Sequence, residues 1–448
     1  MVPARPALAV LTFLAGLVVP PRPAFAGAAP APAAALIASP EEGWPQFRGP
    51  RRDGVSDERG LLPEWPADGP PLVATVSGLG KGFSSPVITG GRIFLTGDFG
   101  AETRILAFDL TGRPLWSAGN GAAWLNQYQG ARGTVAVRGG RLYHQNAHGR
   151  VVCLEAATGR ELWAVDLLQR FKGDNITWGL SDCLLVDDRL VYAAPGGREA
   201  SLVALDRETG AVRWQSAPQF LAESPDTPEA AGYAAPILVR FGERRLLVGC
   251  TQRHLYCVDA DTGEVQWRRE RKTPYSVIAM MPVLVGDAIF STAPMSGAAG
   301  LHRLVPPATP GGRIGVADVW SAQLDTCQGG VVHAGGRLFG SHYPKGRGWT
   351  ALDARTGETL YNAPEFAKGS LLHADDRLYV LTEDGWALLV DPAAPTFSLK
   401  GRFRFVTAKD RDAWAHPVIH DGQLFLRYHN TMEIRRIRKY PGGGKDLR

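Results

Sequence analysis

The chain has 448 residues, of which 53 are Gly and 33 are Pro, roughly a fifth of the total. Average usage of the two is about 12%, and they cost roughly 1 and 3 kcal/mol in a helix interior, so long-helix and coiled-coil architectures are excluded. Charged residues at 21% and hydrophobic residues at 45% exclude a disordered polymer and a membrane bundle, and a formal net charge of +5 does not call for a nucleic-acid partner.

Residues 1–26 read as a secretory signal peptide. Arg5 supplies the positive start, Ala7 to Val19 is a short apolar run, and Ala24-Phe25-Ala26 is an A-x-A cleavage site. The run is too short to span a bilayer, which takes about 20 residues, and no other stretch is long enough, so no transmembrane segment is expected. The expected location is periplasmic or secreted. Residues 27–70 read as a disordered linker and N-terminal arm, the first part almost all Ala, Pro and Gly. Residues 438–448 read as a flexible tail, whose basic residues are a solvated end rather than an anion site.

Between them, residues 71–437 repeat. A two-residue turn between short β-type runs recurs at Gly90-Gly91, Gly139-Gly140, Asp187-Asp188, Gly242-Glu243, Gly286-Asp287, Gly335-Gly336, Asp375-Asp376 and Asp421-Gly422, in steps of 40 to 55 residues. Such pairs suit turns with positive φ at the corners, which match the strand twist. Downstream in most units an acidic residue precedes a Thr-Gly turn and an aromatic four residues later. Asp109 leads to Gly112 and Trp116, Glu155 to Gly159 and Trp163, Asp206 to Gly210 and Trp214, Asp259 to Gly263 and Trp267, and Asp353 to Gly357 and Tyr361. The fifth unit lacks the turn but keeps Trp320, and Gly401 with Phe405 reads as a worn copy. The acidic group accepts turn amides and Gly takes the left-handed position. Four strands per unit at this period is a propeller blade. The fold expected is all-β, an eight-bladed β-propeller. Its eighth unit is one strand short, and the orphan run Pro71 to Val76 should close it, removing an exposed edge.

The D-x-x-T-G-x-x-x-W unit resembles the pyrroloquinoline-quinone (PQQ) repeat of quinoprotein alcohol dehydrogenase-like propellers. The opening Trp44-Pro45-Gln46-Phe47-Arg48-Gly49-Pro50 looks like the arm of exported PQQ-like propellers. The resemblance implies that Trp116, Trp163, Trp214, Trp267 and Trp320 dock neighbouring blades. It does not fix an activity, because the same repeat builds PQQ-dependent dehydrogenases and a non-enzymatic scaffold of the outer-membrane assembly machinery. The dehydrogenases carry adjacent cysteines over the cofactor. Here Cys153, Cys183, Cys250, Cys257 and Cys327 are all separated, and neither C-x-x-C nor C-x-x-C-H occurs. The odd count leaves at least one thiol without an internal partner.

Functional residues should lie in the loops that precede the units, at one mouth of the channel. Lys81, Asn126, Asn175, Trp178, Tyr233, Trp414 and His416 are the candidates for holding a ligand, with Gln127, Tyr128 and Tyr275 beside them. Aromatics can stack a planar ligand while Lys, Asn and His fix its polar edge. Asp174 and Asp182 are the only acids nominated as a base, and each also reads as a loop or turn residue. No metal site is assigned. The reading that follows is a monomeric, non-catalytic scaffold that binds a protein or a small molecule at the propeller mouth. The alternative is a quinoprotein-type oxidoreductase using PQQ with Ca²⁺.

Overall fold

The computed structural model describes residues 32–217, 229–271, 273–295, 298–343, 347–408 and 412–438, besides Met1. The expected signal sequence and most of the expected tail lie outside the described residues. From Pro32 onward the chain is one unit.

It is an eight-bladed β-propeller. Each blade is an antiparallel sheet, the first being Val87–Thr89, Arg92–Phe99, Glu102–Asp109 and Pro114–Ala122 in spatial order. First strands of neighbouring blades touch each other, so they line the axis. The eighth blade takes Val418–His420, Gln423–Tyr428 and Thr431–Arg436 from the C-terminal end, and Leu72–Ser77 as its outer strand. The ring therefore closes with the N-terminal strand, in the register Thr75 to Glu433 and Ser77 to Thr431. Five of the eight tight turns have positive φ at both corners, those at Gly242 and Gly286 at the first only, and Asp187-Asp188 at neither. Gly90 and Gly91 sit at φ 56° and 71°, and even Asp375 and Asp376 accept 45° and 58°.

The Thr-Gly turns lock the blades together. Asp206 accepts the amide and hydroxyl of Thr209 at 2.9 and 2.8 Å, which turns the chain into Gly210. Across each regular seam a tryptophan lies on the next blade's glycine and donates its indole N–H to a turn carbonyl. The pairs are Trp116 to Ala156 at 3.2 Å, Trp163 to Arg207 at 3.1 Å, Trp214 to Ala260 at 3.0 Å and Trp320 to Ala354 at 3.2 Å. Trp267 faces the unit without a Thr-Gly turn. It is buried, and its indole N–H has no acceptor among the described residues.

Blade seven corrects the sequence reading. In blades one to six the docking aromatic sits at a register shift opposite the third strand, and the ring partners of Trp163 and Trp214 lie on the second. Trp214 pairs with Ala204, and Trp163 with Cys153. The same position in blade seven, opposite Leu389, is Gly401. Phe405 is not the docking aromatic. Trp65 from the arm fills the space instead, and a Cβ at Gly401 would lie 2.4 Å from the Trp65 Cβ. Trp65 stands 5.9 Å from Tyr379 at 55°, close to the 6.2 Å and 48° of Trp214 on Tyr192.

The arm is also more ordered than its composition suggests. Ala34–Leu36 adds a fifth strand to blade four, beside Ile237–Phe241. Small Ala side chains let that strand approach the crowded inner edge. Trp44 then bridges Ile88 of blade one, and Val55 bridges His373 of blade seven. The arm thus crosses between innermost strands of several blades.

Candidate functional site: a pocket on the propeller axis

The segments leading into the first strands converge on a cavity of about 720 Å³. Aromatic rings make its walls. Trp414 stacks 4.7 Å from Phe83 and 5.3 Å from Tyr128, and Trp178 stands 5.9 Å from Tyr233. Tyr275 and Tyr343 complete the ring of aromatics. Tyr128 and Tyr275 are 47% and 65% exposed, so these rings face the open mouth.

The arm supplies the floor. Phe47 lines the pocket and meets the His416 ring edge-on at 4.9 Å. Two buried arginines hold the arm in place. Arg52 donates to the carbonyls of Cys183 at 2.8 Å, Leu184 at 3.1 Å and Pro236 at 2.8 Å, tying blades three and four to the axis. Arg48 reaches the Val331 carbonyl of blade six at 2.6 Å.

Arg132 is the one cation of the lining without a carboxylate partner among the described residues, and Arg48, Arg52 and Arg427 are buried outside the lining. Arg132 lies over Trp124 at 5.4 Å, and its donors meet the carbonyls of Trp178, Tyr128 and Gly130. Arg427 spends its donors on Ser84 and the His429 carbonyl. Arg48, Arg52, Arg132 and Arg427 make no ion pair among the described residues. Burial lowers their pKa values, to about 10 for Arg132 and about 9 for Arg427, and leaves them charged at neutral pH. Of these only Arg132 faces the pocket, where an anion would meet its charge.

The acids of the lining are Glu383 and Asp412. Glu383 is committed. It pairs with Lys368, and the Trp414 indole N–H donates to it at 2.7 Å. Lys368 also lies 4.9 Å from the Tyr343 ring centre. Cys327 lines the same wall, and burial pushes its thiol up to about 11, so it is protonated at neutral pH.

Of the sequence candidates, Trp178, Tyr233, Trp414 and His416 meet in this pocket. His416 is buried and donates from Nε2 to the Gln328 carbonyl at 3.0 Å. Burial, and then Arg48, push its pKa down to about 3, so it is neutral. Lys81, Asn126 and Asn175 lie outside the lining. Lys81 is exposed and joins Asp98 through the backbone, and the Asn175 amide donates to the Ala147 carbonyl at 2.9 Å. Asp174 is exposed, 3.5 Å from Arg198. Asp182 is buried away from the pocket lining and accepts from Gln145 at 2.7 Å; burial raises its pKa to about 6. Phe47, Phe83, Arg132, Lys368 and Glu383 escaped the sequence reading. Their shared signal was position, since all but Phe47 and Glu383 fall just before a unit's first strand.

Comparison with known proteins follows the same lines. A family profile described as outer membrane protein assembly factor BamB matches residues 101–293. The outer membrane protein assembly factor BamB of Kangiella koreensis is 29% identical over 189 residues, which are 41% of this chain and 42% of that protein. The chain thus matches less than half the length of this relative. Among solved structures, BamB from Moraxella catarrhalis superposes with a TM-score of 0.57 at 14% identity, covering 83% of this chain and 99% of that one. Quinohemoprotein alcohol dehydrogenase from Comamonas testosteroni gives 0.61 at 14% identity, with coverage of 91% and 82%. At such identities the structures share a fold. The chain folds as an eight-bladed propeller, and its residues 101–293 match that repeat family.

Proposed function

We propose that this PQQ-like repeat propeller is a non-catalytic, extracytoplasmic binding scaffold whose axial pocket holds a planar, anionic small molecule. One observation carries the reading. The pocket joins aromatic walls to Arg132, which has no carboxylate partner among the described residues, while its inner acid, Glu383, is already spent on Lys368 and Trp414. Such a site can stack and neutralise a flat anion. It places neither nominated base, Asp174 or Asp182, against that ligand. The local kinship to an outer membrane protein assembly factor supports a scaffold role and a place outside the cytoplasm.

A quinoprotein-type oxidoreductase is the second reading, favoured by the same aromatic walls, which fit a quinone ring. The Ca²⁺ it would use is a poorer fit. Among the described residues no three His, Cys, Asp or Glu side chains converge as a metal set.

Titration calorimetry with a panel of planar aromatic carboxylates, PQQ included, tests the proposal. Saturable binding that weakens at least tenfold in Tyr128→Ala is expected. No binding across the panel, or binding indifferent to Tyr128, would overturn it.

A further inference from the structure

The seam between blades four and five departs from the regular ones, and it leads into the axial pocket. Blade four ends on Val265–Glu270, and blade five begins at Val283–Val285. Between them runs the loop that brings Tyr275 and Val277 to the pocket. Blade five has no Thr-Gly turn, and the Trp267 N–H that would meet it has no acceptor among the described residues. A polar clasp sits at the root of the loop instead.

Arg271, one residue past the outer strand of blade four, reaches across to blade five. Its Nη2 donates to the Ser291 hydroxyl at 2.6 Å and to His302 Nε2 at 2.8 Å. His302 is 9% exposed, and its Nδ1 donates to the Asp318 carboxylate at 2.7 Å. The tautomer follows from the partners, since a guanidinium offers Nε2 only donors and a carboxylate offers Nδ1 only acceptors. Glycine makes the room. Gly300 pairs with Ser291, and a Cβ there would lie 3.0 Å from the His302 ring and 3.2 Å from Arg271 Nη2. Ser291 belongs to Ala288–Thr292, whose continuation supplies Pro294 and Met295 to the pocket. One imidazole thus fastens two segments of the pocket wall.

A proton on His302 would bring three cations to one carboxylate. Arg269, on the same strand as Trp267, already shares Asp318 at 3.3 Å. The buried Cys250 thiol near Arg271, pushed up to about 12, is neutral and adds no charge. Burial holds the His302 pKa below its ordinary 6.5, with Arg271 and Arg269 acting the same way and Asp318 against them. A protonated Nε2 cannot accept from Arg271, and it sets two positive charges face to face. The clasp is therefore complete above about pH 6.5 and is lost as pH falls through the lowered value.

We infer that His302 is a proton-sensitive clasp on the loop that carries Tyr275: neutral it fastens Arg271 at the loop root, and protonated it lets go, so that the axial pocket releases its ligand in acid. The release step rests on the pocket reading proposed above. The clasp itself does not.

Hydrogen exchange of the ligand-free full chain, followed by mass spectrometry and corrected for intrinsic pH dependence, tests the clasp. The signal is residues 273–278, where the Ser276 and Val277 amides donate to Thr273. Their protection should fall at least tenfold between about pH 7.5 and about pH 4.5. In His302→Gln, whose amide can accept from Arg271 and donate to Asp318 at either pH, the fall should be less than twofold. Arg271→Met should show the low protection already at about pH 7.5. Protection that does not fall in the parent protein, or that falls equally in His302→Gln, would overturn the inference. Calorimetry with naphthalene-2-sulfonate, whose sulfonate stays charged across the range, reads the release step. Its affinity should drop at least tenfold in acid for the parent protein and not for His302→Gln, and equal affinity at both pH values would overturn release. No binding of the sulfonate at about pH 7.5 would count against the pocket reading alone, because the exchange measurement needs no ligand.

Discussion

Trp65 stands over Gly401, so a residue of the N-terminal arm occupies the place where blades one to six carry their own docking aromatic. The pairing is reciprocal. Only a residue without a Cβ leaves room for the incoming ring, and only an incoming ring fills the gap that glycine leaves. Trp65→Ala should therefore cost about 3 kcal/mol, as loss of a large buried aromatic does. Gly401→Ala should also destabilise, because its Cβ would lie 2.4 Å from that of Trp65. Urea unfolding of both variants checks the pair, and an unchanged midpoint in either would dissolve the relationship.

The regular seams allow an internal comparison. Trp214 keeps its hydrogen bond to Ala260, whereas the Trp267 N–H has none among the described residues. Replacement by Phe removes the N–H and much less of the ring. Trp214→Phe should lose about 1 kcal/mol more than Trp267→Phe, the worth of one net hydrogen bond. Equal losses in thermal unfolding would mean that the indole N–H plays no part in holding blades together.

Much of this was legible in the sequence, and the reason is physical. Turn residues such as Gly90-Gly91 and Asp206 to Gly210 act on their own neighbours, so their spacing reports the blade directly. Ring closure was legible too, because Leu72–Ser77 is a β-type run with no partner nearby in the chain. Trp65 was not, since nothing local marks a residue that docks 336 positions away on Gly401. The pocket was half legible. Trp178, Tyr233, Trp414 and His416 sit in loops at the expected mouth, but Phe47 reaches it through the arm. Arg132 reads as an ordinary loop cation until its carbonyl partners are seen.

The arm should matter to the pocket more than its composition suggests. Arg52→Ala strips donors from the carbonyls of Cys183, Leu184 and Pro236. Buried acceptors left unpaired cost about 1–3 kcal/mol each before relaxation. The variant should lose about 3 kcal/mol and become more open to protease within residues 44–56. Limited proteolysis with mass spectrometry reads this out, and an arm as resistant as in the parent protein would contradict the plug.

His416 gives a pH signature. Burial pushes its pKa down to about 3 from an ordinary 6.5. Between those values the unfolded chain binds the proton and the folded one does not. Stability is then full above about pH 6.5 and falls as pH drops toward 3. Relative to His416→Gln, the parent protein should lose up to about 1.4 kcal/mol per pH unit in that window. Parallel stability curves for the two proteins would show that His416 titrates normally.

The claim that the axial pocket binds without catalysing meets its most direct test in dye-linked turnover. Purified protein would be supplied with PQQ, Ca²⁺ and a panel of primary alcohols and sugars, and dye reduction followed by absorbance. The account predicts no turnover above the protein-free rate, even at concentrations where calorimetry shows the pocket filled. Robust dye reduction that needs both PQQ and Ca²⁺, and that disappears in Asp174→Asn or Asp182→Asn, would contradict it and establish the oxidoreductase reading.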